Sequence, residues 1–554
     1  MKNSKKRCLI ISSAGFLLGM ILFCVIYGTQ VIDPTYDTWI ANSRGDLSQH
    51  YLGWTFYRKT PWKFPIGLAD GIIGCDSLSV MYTDSIPFLA VFFKLLSPVL
   101  PETFQYIGLW GLLSWGLKGA FSALLLMRFS KNPVFCLSGS ICFVTAPVVL
   151  FRMFGHEALG GGQFIIIFAL TIWAYQNRFK KKSTPVILWC ICSLTAVGVH
   201  MYFIPMTYMI MAGALINYIL ENKKILYPVI AFFSSVVLAL LEMFCLGAFY
   251  GEGSYMDGGL GVFSSNLNTF FNPATYSKFL KQMNILDGEL EGFGYLGLGM
   301  IIGLFFAVFF AIYKADSANT LKTYWKKRCP LITGCLFSFC AAFILAVCPA
   351  VALNGRILFT IPYPHILFSA LSVFRAAGRF IWVPVYIIFT CVFYAVSKVS
   401  AKRILICLTV FLTGVQMLDL RDAFLDKRKE YAKKEDFVRI FSEEDEKFFT
   451  EGAKQVVFLP IDQGHLQYYE TYSIIGYLAY CHDMTLSSFY TARTDASLLQ
   501  EYSETYYEKL KNGSGDEDAL YIFFDDKSKG DVIPDNEHLK CKEYKGFTAA
   551  RYVK

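Results

Sequence analysis

Ser85-Ile86-Pro87-Phe88-Leu89-Ala90-Val91-Phe92-Phe93-Lys94-Leu95-Leu96-Ser97-Pro98-Val99-Leu100 is the stretch on which the topology of this chain turns. It is apolar enough to enter a bilayer. It is also shorter than the roughly 20 residues a crossing helix needs, and Lys94 interrupts it. If it crosses, every basic cluster that follows moves to the other side of the membrane. If it lies in the interface or re-enters, the clusters at 2–7, 178–182, 223–224, 322–328 and 398–403 all fall on one side. Lys and Arg collect on the cytoplasmic side of membrane proteins. The charge pattern therefore favours the reading in which 85–100 does not cross, lying interfacial or re-entrant on the outer side.

Working outward from it, residues 1–28 start basic and continue apolar, like a signal peptide. The run is long and no small-x-small cleavage site follows before Asp33, so it reads as an uncleaved first span with its N-terminus inside. Residues 30–103 form a long external loop. Further spans are expected near 104–127, 134–151, 164–177, 185–199, 203–220, 225–249, 294–313, 331–348, 380–397 and 404–419. The total is about 11 transmembrane helices. After residue 420 the chain becomes charged. Val456-Val457-Phe458-Leu459-Pro460 and Ala519-Leu520-Tyr521-Ile522-Phe523-Phe524 read as short buried strands. The expected organisation is a membrane domain over 1–420 and a small α/β domain over 421–554, outside by parity.

The composition agrees. Of 554 residues, 55% are hydrophobic, 17% aromatic and 17% charged, against about 25% charged in soluble domains. The net charge of +8 lies in short clusters between apolar runs, which argues for membrane topology and against nucleic-acid binding. Most of the 16 cysteines lie in apolar segments, where Cys packs as a small hydrophobe. Cys75, Cys481 and Cys541 are expected outside, and a Cys481–Cys541 disulfide is open. No phosphate-cradling glycine loop follows a strand, so no nucleotide cofactor is expected. Neither a GxSxG elbow nor an HExxH pair occurs.

The chemistry-bearing residues gather on the outer side. Asp46 reads either as a general base, taking a proton from an acceptor hydroxyl, or as the cap of a helix starting at Leu47. Asp37 is a second acid, with an Asx-turn after Pro34 as its alternative. His50 follows Asp46 by four residues. On a helix the two share a face, as a base and its orienter or as two ligands of a divalent metal. Asp84 either caps the 85–100 helix, with Pro87 in its first turn, or faces the same pocket as a further acid. Arg152, His156 and Glu157 sit at the outer end of the third span, and His200 at that of the fifth. An Arg152–Glu157 structural pair is the plain alternative there. Arg375 and Arg379, four apart, would share a helix face and grip a phosphate, or reach lipid headgroups. Charges are scarce inside the spans, with Glu242 the main exception.

The layout resembles the GT-C class of membrane glycosyltransferases. More closely, Gly-Asp-Leu-Ser-Gln-His-Tyr-Leu-Gly-Trp (45–54), Tyr-Thr-Asp-Ser-Ile-Pro (82–87), Phe-Gly-His-Glu-Ala-Leu (154–159), His-Met-Tyr-Phe (200–203) and Phe-Arg-Ala-Ala-Gly-Arg-Phe (374–380) are similar to a bacterial family of uncharacterised multi-pass proteins related to that class. The resemblance implies a mainly α, polytopic cell-membrane protein that moves a sugar from a polyprenyl-phosphate donor to an envelope glycan or lipid acceptor. Asp46, His50 and Asp37 would be its catalytic residues. Asp84, Arg152, His156, Glu157, His200, Arg375 and Arg379 would bind substrate. The Asp-Asp or Glu-x-Asp pair of some class members is absent near the first-loop acid, so a divalent metal stays open. A flippase for lipid-linked oligosaccharide and a non-catalytic assembly protein are the other readings.

Overall fold

The computed structural model describes residues 2–43, 45–74, 76–251, 254–255, 259–314, 318–461, 469–491, 493–494, 496–524, 526–530, 532–533 and 536–554. The chain is mainly helical, 61% helix, with a small C-terminal α/β region. It divides into two compact units. The first comprises Met1–Asp33, Tyr106–Leu241 and Asp257–Lys433; the second comprises Pro34–Gln105, Glu242–Met256 and Lys434–Lys554.

Among the described residues, 8 helices are long and apolar enough to cross a membrane. They are Lys5–Tyr27, Ile107–Met127, Pro133–Arg152, Glu157–Arg178, Phe203–Asn222, Leu226–Leu246, Arg328–Val347 and Ala377–Val396. Each lies on an expected span. The expected fifth and eighth spans are the shorter apolar helices Ser183–Val199 and Leu298–Tyr313. The last is a pair, Lys402–Asp419 and Arg421–Tyr431, bent by 54°.

Small residues let these helices approach closely in the first unit. A Cβ on Gly15 would stand 2.4 Å from the Gly119 carbonyl oxygen, and one on Gly119 would stand 2.0 Å from that of Gly15. The first helix and Ile107–Met127 thus cross backbone against backbone, as small residues allow. Asp419 pins the loop that leads into Leu298–Lys314. It accepts from Tyr295 Oη (2.8 Å) and Leu298 N (2.9 Å), and Gln416 Nε2 donates to Leu296 O at 3.0 Å.

The second unit joins the 34–105 loop to the C-terminal region. The 85–100 stretch forms a helix, Pro87–Leu96, followed by a 3-10 turn, Ser97–Val99. Ten residues rise about 15 Å, half of a hydrocarbon core. Phe88, Phe92 and Leu95 are exposed along one face of it, whereas Lys94 is buried. Its Nζ lies 3.9 Å from the Tyr57 ring centroid and 4.8 Å from that of Trp62. Burial lowers the Lys94 pKa to about 8. The residue that breaks the apolar run is therefore its inward contact, held by two aromatic faces.

Both expected C-terminal strands are present. Gln455–Leu459 runs parallel to Ala519–Phe523 on one side and to Thr485–Leu486 on the other. Phe547–Tyr552 and Leu539–Tyr544 complete a five-stranded mixed sheet. Val457, Leu459, Tyr521 and Phe523 are buried on it, with Leu499 and Leu510 of the Ala496–Lys511 helix. Cys481 and Cys541 are both free. Cys75 lies outside the described residues.

Candidate functional site

In the second unit the site is built on the helix Asp46–Lys59. Gly45, with extended backbone, precedes it without a side-chain cap, and Asp46 is its first residue rather than its cap. An acid in the first turn and Arg58 and Lys59 in the last suit the helix dipole. Asp46 is half-buried and His50, one turn on, is buried. The helix makes their shared face real.

Gly53 brings the next element onto this helix. A Cβ there would meet the Thr83 side chain at 2.3 Å and Ser85 Oγ at 2.5 Å. Ser85 Oγ donates to the His50 carbonyl at 2.6 Å, and the Thr83 and Ser85 hydroxyls lie 2.8 Å apart. The turn so held is strained: Asp84 and Ile86 both have φ of 53°. Left-handed backbone is uncommon outside glycine and costly for a β-branched residue, and such strain collects at functional sites. Ile86, not Asp84, is the N-cap of Pro87–Leu96, with Pro87 in the first turn as expected. The capping alternative for Asp84 therefore falls. Instead a ring nitrogen of His50 lies within 4.8 Å of an Asp84 carboxylate oxygen. An imidazole nitrogen and a carboxylate oxygen are donors that a divalent transition metal accepts.

Asp37 is held differently. Its carbonyl starts the short Thr38–Ala41 helix, accepting from Ile40 N and Ala41 N. Its Oδ2 accepts from Tyr51 Oη at 2.9 Å and Tyr477 Oη at 3.2 Å. Burial raises its pKa, and the two phenols partly offset that. The arrangement ties the first loop to the C-terminal helix Tyr469–Cys481 within this unit.

The first unit gathers the other candidates. Arg152 Nη2 pairs with Glu291 Oε2 at 2.5 Å, and Arg379 reaches the same oxygen with Nη2 at 2.7 Å and Nε at 2.9 Å. Arg152 thus has a partner, Glu291, far from it in sequence. Glu157 is buried as the first residue of the Glu157–Gly162 helix, after His156. Burial alone would raise the Glu291 pKa. The Arg379 and Arg152 guanidiniums overcome this and hold it at about 2.

Arg375 and Arg379 do not share a helix face. Ala376, at φ −100° and ψ 66°, separates them, and only Arg379 lies in the 3-10 helix Ala377–Ile381. Arg375 stacks over Phe263 at 4.9 Å, and Arg379 over Tyr202 at 4.8 Å. The Tyr202 hydroxyl accepts from Ala376 N at 2.7 Å. The His200 ring lies 5.4 Å from Tyr202 and 5.1 Å from His156. Ring contacts join His156, His200 and Tyr202, a cation–π contact joins Tyr202 to Arg379, and ion pairs join Arg379 and Arg152 through Glu291.

Glu291 is the residue that sequence reasoning missed. Its signal was an acidic pair, Glu289-Leu290-Glu291-Gly292, between two spans. Tyr51 and Tyr202 stood inside the motifs at 45–54 and 200–203 without a role of their own, and Tyr477 gave no signal, since tyrosine is common throughout the chain.

Residues 16–421 match the model of a domain of unknown function, DUF6311, and residues 446–551 match the DUF6311 C-terminal domain. No curated protein matches the chain. With the larger match covering well over half its length, the chain belongs to the DUF6311 family.

Proposed function

We propose that this protein is an inverting glycosyltransferase of the outer membrane face, using a polyprenyl-phosphate sugar. The observation that carries the reading is the Asp46–His50–Asp84 arrangement: two acids and a histidine on one helix and the strained turn laid against it. In the reaction, Asp46 takes the proton of an acceptor hydroxyl, with His50 orienting or assisting. The acceptor oxygen bonds to the anomeric carbon from the far side as the bond to phosphate breaks. Polyprenyl phosphate leaves with that bonding pair, and the configuration inverts. Arg375 and Arg379, in the first unit, carry the charge that suits a phosphate. His50 and Asp84 would contribute to a divalent metal if one is bound, which would supply further charge stabilisation. The acceptor is an envelope glycan or lipid. The positive-inside pattern supports a topology with the N-terminus inside and the C-terminal domain outside.

The test is sugar transfer by the purified protein, reconstituted with a panel of polyprenyl-phosphate sugars, for wild type and Asp46→Asn. Turnover or donor hydrolysis that vanishes in a folded Asp46→Asn variant supports the reading. Activity that survives moves the base to Asp37 or Asp84. No turnover from wild type, with Asp46→Asn equally competent in the cell, supports an assembly protein instead.

One observation favours the flippase reading. Glu242 is not the only charge inside the apolar helices. Lys118, mid-way along Ile107–Met127, is fully buried. Its Nζ has no hydrogen-bond partner among the described residues, with the Trp115 ring 5.6 Å away. Ionisable groups at such depth often mark transport paths. Movement of lipid-linked sugar across vesicles without transfer, lost in Lys118→Met, would support that alternative.

A further inference from the structure

The segment 348–376 links the end of one candidate span, Arg328–Val347, to the start of another, Ala377–Val396. Its two ends therefore belong to the same side of the helix bundle. It contains a hairpin of Ala350–Leu353 and Arg356–Thr360, then a short helix, His365–Ser372. The turn is Asn354-Gly355, both with positive φ (50° and 77°), the geometry that a two-residue hairpin loop requires.

One side of this element is firmly seated. Val347, Cys348 and Val351 pack together with Phe343 and Tyr363. Leu267 N donates to Ala352 O at 3.0 Å, and Asn268 Nδ2 donates to Asn354 Oδ1 at 2.7 Å. The rest is uncovered. All five residues of Arg356–Thr360 are exposed, and no residue of His365–Ser372 is buried. Ile357, Leu358, Phe359 and Phe368 are about half-exposed, and Ile366 is 85% exposed.

An eight-residue helix is not stable by itself in water, and a two-stranded hairpin is marginal. An apolar element of this kind persists only if something outside the chain covers it. Three features select a lipid surface. Both flanking helices are apolar enough to span. The strand is exposed on both faces, which suits immersion in a medium better than docking on one partner surface. Residues 348–376 hold no acid, only Arg356, Arg375 and His365 among titrating groups of basic type, which suits anionic headgroups.

We infer that the 350–372 hairpin and helix is an interfacial anchor, its apolar side chains immersed at the headgroup–acyl boundary of the outer leaflet. The inference rests on the membrane reading above and is independent of the sugar chemistry.

The test uses the full-length protein in phosphatidylethanolamine–phosphatidylglycerol vesicles. A photoreactive benzoylphenylalanine replaces Phe359 or Phe368. Controls carry it at Phe337, exposed in the Arg328–Val347 helix, or at Lys511 in the C-terminal region. Phospholipid adducts by mass spectrometry at 359, 368 and 337, and their loss at 511, are expected. Adducts at 337 without adducts at 359 and 368 overturn the anchor, as do adducts there to a second polypeptide. Absence of lipid adducts even at 337 overturns the membrane reading itself, and the anchor with it.

Discussion

Glu291 holds two guanidiniums on one oxygen, and its removal exposes what that costs. Glu291→Ala would leave the buried Arg152 and the part-buried Arg379 with their shared carboxylate gone. Breaking a buried pair in this way costs about 3–5 kcal/mol. Chemical unfolding in detergent should show a loss of that order, and Glu291→Gln a smaller one. The same residue predicts an acid limit. Its pKa is depressed from 4.5 to about 2 in the folded state. A depressed carboxylate contributes stability that is fully present above its unfolded pKa and lost as pH falls through its folded one. The contribution, about 3 kcal/mol from the size of the shift, should fade between about pH 5 and pH 2. In Glu291→Gln that part of the acid transition should flatten. At Asp46 the expectation is different in kind: Asp46→Asn should retain stability and lose turnover, because the amide keeps the shape of the carboxylate at a half-buried position at the helix start.

At the scale of elements, the turn at 82–87 and the helix Asp46–Lys59 act as one piece because Gly53 lets them touch. Gly53→Ala places a methyl group within 2.3 Å of Thr83. The turn must then lift. Overpacking of this kind costs about 1–3 kcal/mol. The Asp84 carboxylate rides on the turn, so it should also move away from His50. Transfer should therefore fall more than stability does, since misplacement of about 1 Å can cost about 100-fold in rate. Thermal unfolding and initial rates on the same preparation separate the two effects; equal losses in both would count against a site on this turn. The Pro87–Leu96 helix teaches a related point. Its length was readable from Pro87, Lys94 and Pro98, but the burial of Lys94 against Tyr57 and Trp62 was not. The hairpin at Asn354-Gly355 carries a local signal in its turn dipeptide and flanking apolar residues, which hydropathy masks in a chain this apolar.

For the whole molecule, the second unit is assembled from three pieces far apart in sequence. Ser79 Oγ donates to Leu246 O at 2.7 Å, Ile66 N to Cys245 O at 2.8 Å, and Gly74 N to Leu486 O at 2.9 Å. Lys59 Nζ donates to Tyr480 O at 3.1 Å, and Asp37 takes the Tyr477 hydroxyl. A chain ending at Lys433 would keep the contacts to Cys245 and Leu246 but leave the 34–105 loop without those to Leu486, Tyr480 and Tyr477. Limited proteolysis of that truncated protein should cut within 34–105 much faster than in the full chain, while the helices of the first unit stay protected. Equal protection would show that the loop folds without the C-terminal region.

Local sequence is enough to locate the helices, to show that 85–100 is shorter than a crossing helix, and to place strands after 450. These follow from apolar run length, proline and glycine placement, and charge clusters, all of which are local. It also named His50, Asp84, Arg152, His156, His200 and Arg379, since charged and titrating residues are conspicuous in an apolar chain. Only the tertiary structure decided their partners. Arg152 meets Glu291 across 139 residues, and Asp37 meets Tyr477 across 440. Arg375 parts from Arg379 because the backbone leaves the helical region at Ala376. Such pairings depend on which segments pack together, and no local preference of either residue records the identity of its distant partner.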